Sequence, residues 1–306
     1  MSDSDQTIRD LLMSIADELH YENCHIQLQA TSTNGANFSS KLYEATISAP
    51  DKPDVELFAK FGIIGEETRA VVNMDIYSRE FVFYNEVMNV YKCMEEKHNI
   101  PERDRLCLAK YYGCNKEYLK ESIVLENLLK KDFECYDRLK SVDWVYARES
   151  VKQLAVLHAS SIAYAQEYPQ KFAEITKGLD FVYPKTFIEK AVDNALAAAK
   201  EDYRERFSIF LKENLKGDNY ERFFKPGRIT VMIDGDYRPS NLMHRVLENG
   251  ELEVAILDFQ TFQVDPEDVP SIENSLERVD QGVKPSALFA ERLNGIISDY
   301  IRMGVL

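Results

Sequence analysis

The 306-residue chain has little that would suit it to nucleic acid, to a membrane or to an oxidising compartment. Basic residues are in deficit: 37 Lys and Arg against 52 Asp and Glu leave a formal charge of -15. A surface of that sign is repelled by a polyanion, which disfavours nucleic-acid binding but leaves room for a local basic pocket. The five cysteines (Cys24, Cys93, Cys107, Cys114 and Cys135) are odd in number and show no CxxC spacing. That spacing excludes the usual zinc and redox motifs and reads as reduced thiols of a cytosolic protein. No run approaches the roughly eighteen apolar residues of a membrane span. The opening MSDSDQTIRD has no apolar signal core, so a soluble, cytoplasmic chain is expected. Internal repeats and low-complexity tracts are absent too. What is there, 45% hydrophobic and 29% charged residues, is enough for a substantial core in one large domain or two smaller ones.

Hydrophobic spacing predicts helices over 7–20, 75–97, 143–165 and about 286–302, with a charged, aromatic helical stretch over 170–224. Strands are expected at KLYEATIS, VELFAKF, LCLAKYY and ESIVLEN, with turn material around GCNKEY. A strand–loop–strand–turn–strand unit fills 231–260. In VELFAKF, Val55, Leu57, Ala59 and Phe61 share one side and Lys60 takes the other. In the helix over 75–97, Ile76, Glu80, Phe83, Val87, Val90 and Met94 share a face. Glu80 is the only charge on it, and a Glu on an apolar stripe either snorkels or has a partner. In the helix over 143–165 the apolar face reads as Val151, Leu154, His158 and Ile162. This order predicts an α+β protein with a small mixed sheet-and-helix first lobe, residues 1–130, and a mainly helical second lobe, residues 131–306.

The stretch VMIDGDYRPSNLMHRVLENGELEVAILDFQ (231–260) places carboxylates at the ends of what read as buried strands. Charge there is costly unless a cation meets it. Asp236 and Asn241 form a D-x-x-x-x-N pair, and Asp258 follows in D-F-Q. Together with Lys60 on a strand and Glu80 on a helix, these residues suit phosphoryl transfer from ATP, which needs positioning and charge cancellation more than covalent help. Lys60 would neutralise phosphates and Glu80 would hold Lys60. Asp236 would accept the proton of the attacking hydroxyl, and Asn241 and Asp258 would supply hard oxygens to Mg²⁺. DGD also matches the D-x-D metal site of a glycosyltransferase, but that reading leaves Lys60, Glu80 and Asp258 without a role.

Seven segments, NGANFSSKLYEA, LFAKF, SREFVFYNEV, ESIVLENL, LAVLHASS, DGDYRPSNLM and AILDFQ, lie in order over roughly 30–262. In these the chain resembles the ecdysteroid kinase-like, or choline-kinase-like, small-molecule kinases. These are similar to aminoglycoside phosphotransferases and share a bilobal protein-kinase-like fold. The resemblance implies ATP and Mg²⁺ as cofactors and a small-molecule hydroxyl, such as a steroid hormone or a xenobiotic alcohol, as acceptor. It assigns Lys60 and Glu80 to the phosphate-binding ion pair, Asp236 to the catalytic base, and Asn241 and Asp258 to Mg²⁺. It puts Glu126 and Asn127 at the hinge that meets adenine. Gly35, Asn37, Phe38 and Ser39 fall in the phosphate-covering loop, although that loop lacks a full G-x-G-x-x-G.

The chain departs from the pattern twice. The family's H-G-D begins here with Asp234, two residues from Asp236, and if the two carboxylates face one site one pKa should rise. Only 48 residues follow Asp258, fewer than is common in the family, so the acceptor-binding part is expected to be short. Other residues carry plainer expectations. His158 reads as a satisfied core histidine, Trp144 as packing at the start of its helix, FVFYNEV as core, and Arg238 as the partner of a local carboxylate.

Overall fold

The structure is a computed structural model, and it describes residues 3–31, 39–66, 69, 76–137, 140–177, 179, 185–215, 230–264 and 287–306. Gly35, Asn37 and Phe38 lie outside the described residues. The chain divides into two compact units. The first takes Met1–Arg69, Met74–Leu179 and Val231–Val264; the second takes Ala70–Asn73, Asp180–Thr230 and Asp265–Leu306.

The first unit opens with helix α1 (Asp3–Glu18), followed by strands β1 (His25–Thr31), β2 (Ser40–Ser48) and β3 (Val55–Gly62). Helix α2 (Ile76–Val82) then runs through a π turn (Phe83–Val87) into α3 (Met88–Lys97). Strands β4 (Tyr111–Asn115) and β5 (Ser122–Glu126) complete a five-stranded sheet of order β1-β2-β3-β5-β4, antiparallel at each described pairing. Its two faces are covered differently because strand side chains alternate. Leu57, Ala59, Phe61 and Val124 join Ile8, Leu12 and Ile15 of α1 in one core, while Ile123 and Leu125 join the α2–α3 residues in another.

All six residues expected on the face of the second helix are buried. The π turn admits Phe83 and Tyr84 side by side into the core, and such turns concentrate at functional sites. Strand β4 begins later than LCLAKYY suggests: Leu108 makes only an isolated bridge to Ile256, and Gly113–Asn115, expected as turn, are strand. Glycine reads as a turn signal, but here it serves close approach: a Cβ on Gly113 would meet Ile15 Cγ1 of α1 at 3.3 Å.

Beyond the sheet come a short strand β6 (Glu134–Cys135), helices α4 (Trp144–Glu167) and α5 (Pro169–Thr176), and strands β7 (Met232–Asp234), β8 (Leu242–Val246), β9 (Leu252–Ile256) and β10 (Phe262–Val264). The face that α4 buries is not the apolar one. Tyr146, Ser150, Gln153, Leu157, Ser161 and Tyr164 are buried, whereas Val151 is exposed. The polar members bind neighbouring main chain: Gln153 Oε1 accepts Cys107 N–H at 3.0 Å and Ser161 Oγ accepts Met232 N–H at 2.8 Å. Ser161 thereby fixes the strand that leads into the D-x-x-x-x-N loop. Trp144 does not pack; it is 80% exposed. Asp143 caps the helix through Tyr146 N–H at 2.8 Å, and a residue two positions before Tyr146 points about 200° away from it, to the far side.

In the second unit, helices α6 (Lys185–Ala198), α7 (Glu201–Asn214) and α8 (Ala287–Arg302) pack around Val192, Ala199, Phe207, Leu211 and Ile297. Buried Asn294 of α8 accepts Lys200 N–H at 2.8 Å and donates to Ala198 O at 3.0 Å, which pins the α6–α7 corner. The whole is α+β, sheet-rich in its N-terminal part and helical after it, as the sequence predicts. No described helix is long and apolar enough to cross a membrane, and all five cysteines are free.

Candidate active site

Strand alternation turns Lys60 away from the α1 side of the sheet, toward α2. There its Nζ lies 2.7 Å from Glu80 Oε1 and 3.0 Å from Asp258 Oδ1. Glu80 is 1% exposed, so the lone charge on the apolar stripe has a part-buried partner rather than a snorkelling route. Burial alone would lower the pKa of Lys60, but Asp258 and Glu80 outweigh it and hold the ammonium above its ordinary value. Burial raises the pKa of Glu80, with Asp258 adding to the rise and Lys60 opposing it. One cation between two carboxylates leaves the cluster one negative charge in excess.

The β8–β9 hairpin explains why Asn241 and Asp258 come together. Its register sets Leu242 opposite Ile256, and Leu257 N–H donates to Asn241 O at 2.9 Å. The residues flanking the two strand ends are therefore neighbours. Asp258 has φ 62°, in the left-handed region that Asp tolerates better than most residues. Asn241 Nδ2 donates to Asp236 Oδ2 and to Asp236 O, each at 3.0 Å, which leaves Oδ1 as the group the amide can offer a ligand. Arg238 Nε also donates to Asp236 Oδ2, at 2.8 Å, the local pairing expected of it. The loop is held to the segment after Asp258 by the pairing of Asp234 with Phe262 and by Gly235 N–H to Thr261 O at 3.2 Å.

Among the described residues no group of three or more His, Cys, Asp or Glu is arranged to hold a metal. Mg²⁺ commonly takes one or two protein oxygens and fills its other positions with phosphate and water. The donor set Asn241 and Asp258, a neutral amide oxygen and a part-exposed carboxylate, fits that habit.

Asp234 is 5% exposed. Its Oδ1 accepts Asp236 N–H at 3.0 Å, and its Oδ2 is buried without a hydrogen-bond partner among the described residues. Burial, with Asp258, Asp236 and Glu80 adding to it, pushes its pKa up to about 7. The folded chain holds this proton to about pH 7, whereas an unfolded Asp releases it near 3.9. Between those values folding takes up a proton, so this group's contribution disfavours the fold increasingly as pH rises through the window. We expect Asp234→Asn, which removes the titration, to gain about 2.5 kcal/mol relative to the wild type between pH 5 and pH 8. Urea unfolding of both proteins at the two pH values measures it; a pH-independent difference would refute the assignment.

The hinge residues behave less simply. Asn127 is buried, its Oδ1 caps Leu129 N–H at 3.1 Å and its Nδ2 reaches Glu44 Oε2 at 3.3 Å. Glu126 Oε1 pairs with Lys131 Nζ at 2.5 Å. Both main-chain N–H groups already donate, Glu126 to Lys110 O and Asn127 to Glu56 O, so neither N–H is open to a base. These two residues line a groove of about 240 Å³ with Tyr21, Pro53, Tyr112 and Lys130, and neither Lys60 nor Asp258 is among its lining residues. Ser39, assigned to the phosphate loop, is buried and donates to Gln260 Oε1 at 3.0 Å. His158 is part-buried and its Nε2 lacks a partner among the described residues, so it is not satisfied; burial lowers its pKa. Two residues that the sequence reading passed over join the cluster: Gln260 and Tyr77, whose hydroxyl donates to Ser39 O. The sequence carries no local signal for Gln260, since a glutamine is more often exposed than buried.

The sequence profile of the Ecdysteroid kinase-like family matches residues 34–267, and the chain belongs to that family. The match spans Lys60, Glu80, Asp236, Asn241 and Asp258 together. Among solved structures, the GDP complex of a mutant aminoglycoside 2'-phosphotransferase is similar at a TM-score of 0.45 and 12% identity, covering 96% of this chain and 84% of that one. Among curated proteins nothing matches.

Proposed function

We propose that the chain transfers the γ-phosphoryl group of ATP to a hydroxyl of a small molecule. The observation that carries this reading is Lys60 Nζ held between buried Glu80 and part-exposed Asp258. Glu80 fixes the lysine, and the ammonium that now meets Asp258 is the one that meets phosphate when nucleotide arrives. Asp236, braced by Asn241 and Arg238, accepts the proton of the attacking hydroxyl. Asn241 Oδ1 and Asp258 hold Mg²⁺, which when bound neutralises charge on the phosphates. Membership of an ecdysteroid kinase-like family makes a steroid-like or xenobiotic alcohol the acceptor to try first. The net charge of -15 favours an uncharged acceptor over an acidic one, and the cytoplasm, which supplies ATP and Mg²⁺, is the compartment we assign.

The test is ATP consumption by the purified protein with Mg²⁺ over a panel of hydroxylated small molecules, steroid alcohols included. Acceptor-dependent ADP release is expected. Binding of Mg·ATP with no consumption across the panel would overturn the enzymatic reading in favour of the alternative, a kinase-shaped binding protein with impaired chemistry. Asp234 is the observation that favours that alternative, since its buried, unpartnered oxygen sits two residues before the candidate base. Asp234→His separates the two: we expect less than a tenfold change in turnover, about 1.4 kcal/mol. A much larger gain would mean that the native loop is impaired.

A further inference from the structure

Asp258 sits in a left-handed backbone conformation, and such a residue persists only where its surroundings over-determine it. What fixes it follows immediately in the chain. Phe259 is fully buried and stacks on Phe83 of the π turn, with ring centroids 3.4 Å apart and planes 12° from parallel. Gln260 is 7% exposed and spends its whole amide on polar partners from distant segments. Its Oε1 accepts Ser39 Oγ–H at 3.0 Å, and its Nε2 donates to Ser40 Oγ at 3.4 Å. The amide also lies near Glu80, where it favours the ionised form of that carboxyl. One N–H donor and the acceptor are thus matched to two serines at the start of β2, and the amide has a second N–H to offer.

We propose that Gln260 is a positioning residue for the metal–nucleotide site: it ties the chain after Asp258 to the start of β2, and so fixes the aim of the Asp258 carboxylate. The inference rests on the reading of Asp258 as a Mg²⁺ ligand. The Phe259 stack alone stops translation of the segment but not its rotation about the ring normal. The Gln260 amide, held through both its oxygen and its nitrogen by Ser39 and Ser40, stops that rotation. Glu80 and Asp258 share Lys60, so the same amide acts on both ends of the cluster.

The consequence lies in the linkage between metal and nucleotide, not in packing. Titration calorimetry of the full chain with ATP, with and without Mg²⁺, gives the factor by which Mg²⁺ tightens binding. In Gln260→Leu, which fills similar space without polar atoms, that factor is expected to fall by about tenfold, the loss of one to two buried hydrogen bonds. Gln260→Glu is isosteric and keeps an acceptor for Ser39, but it loses both donors and sets a second carboxylate beside Glu80. It is expected to lose at least as much as the leucine variant, since the buried carboxylate adds repulsion to the lost donors. Should Gln260→Leu fail to fold, Ser39→Ala, which removes the hydrogen bond to the Gln260 amide oxygen without burying a charge, decides in its place by the same fall in the Mg²⁺ factor. A folded variant that keeps the wild-type factor overturns the role of Gln260 and leaves the site reading intact. A wild type whose ATP binding ignores Mg²⁺ overturns the site reading itself, and this inference with it.

Discussion

Asp236→Asn is expected to lower phosphoryl transfer by about 10³-fold, the size of a positioned general base. The asparagine keeps the shape and can still meet Asn241 and Arg238, but it cannot take a proton from the attacking hydroxyl. The effect should fall on kcat far more than on KM for ATP, because Asp236 lies in the loop after β7 and not in the Lys60 cluster. Initial rates with the best acceptor of the panel measure it. A variant within tenfold of wild type would remove Asp236 as the base and turn attention to Asp234, the neighbouring carboxylate with a pKa raised to about 7.

Lys60→Met has the second large effect, on stability as well as activity. Glu80 is nearly inaccessible, and without Lys60 its charge would lose its ion-pair partner and keep the like charge of Asp258 nearby. Removing one partner of a buried ion pair typically costs about 3–5 kcal/mol. For a unit of this size that is roughly 10 °C in melting temperature. The sign of the pH dependence follows from the same carboxyl. Without Lys60 the folded-state pKa of Glu80 rises further, folding retains a proton that the unfolded chain has lost, and the defect shrinks toward acid pH. Chemical denaturation of both proteins at pH 5 and pH 8 should therefore show the larger deficit at pH 8. Glu80→Gln in the same experiment should cost less, since the amide can still accept a hydrogen bond from Lys60. Equal stability of Lys60→Met and wild type would mean that the buried pair does not hold the cluster together.

Much of this site was legible in the sequence because its residues break local rules. A charge on the apolar face of a helix, a lysine in an alternating strand and carboxylates at strand ends each violate patterning; Glu80, Lys60 and Asp258 are placed against one another, whereas Asp234 keeps a buried oxygen with no partner among the described residues. Lys60 and Glu80 are twenty residues apart in sequence, and their ion pair follows from a strand facing a helix. What stayed hidden is carried by polar residues that behave as core. The buried face of α4 holds Ser150, Gln153 and Ser161, which hydrophobic periodicity counts as solvent-facing, so the stripe was assigned to Val151 and its neighbours. Gln260 was hidden for the same reason: its partners, Ser39 and Ser40, lie 220 or so positions away. Gly113 was misplaced because its role, admitting Ile15 of α1 against the strand, depends on a contact made only in the fold. The hinge expectation came from resemblance alone, and the main-chain N–H groups of Glu126 and Asn127 are already engaged within the protein.

The central claim is that Lys60, Asn241 and Asp258 together hold Mg·ATP. Thermal unfolding with ATP, with and without Mg²⁺, on wild type and Asp258→Asn tests it most directly. A ligand that binds only the folded state at a hundredfold excess over its Kd stabilises by about 2.7 kcal/mol. The account predicts an upward shift of that order in the wild type that depends on Mg²⁺ and is lost in Asp258→Asn. A wild type whose melting temperature does not respond to Mg·ATP, or an equal response in Asp258→Asn, would contradict it.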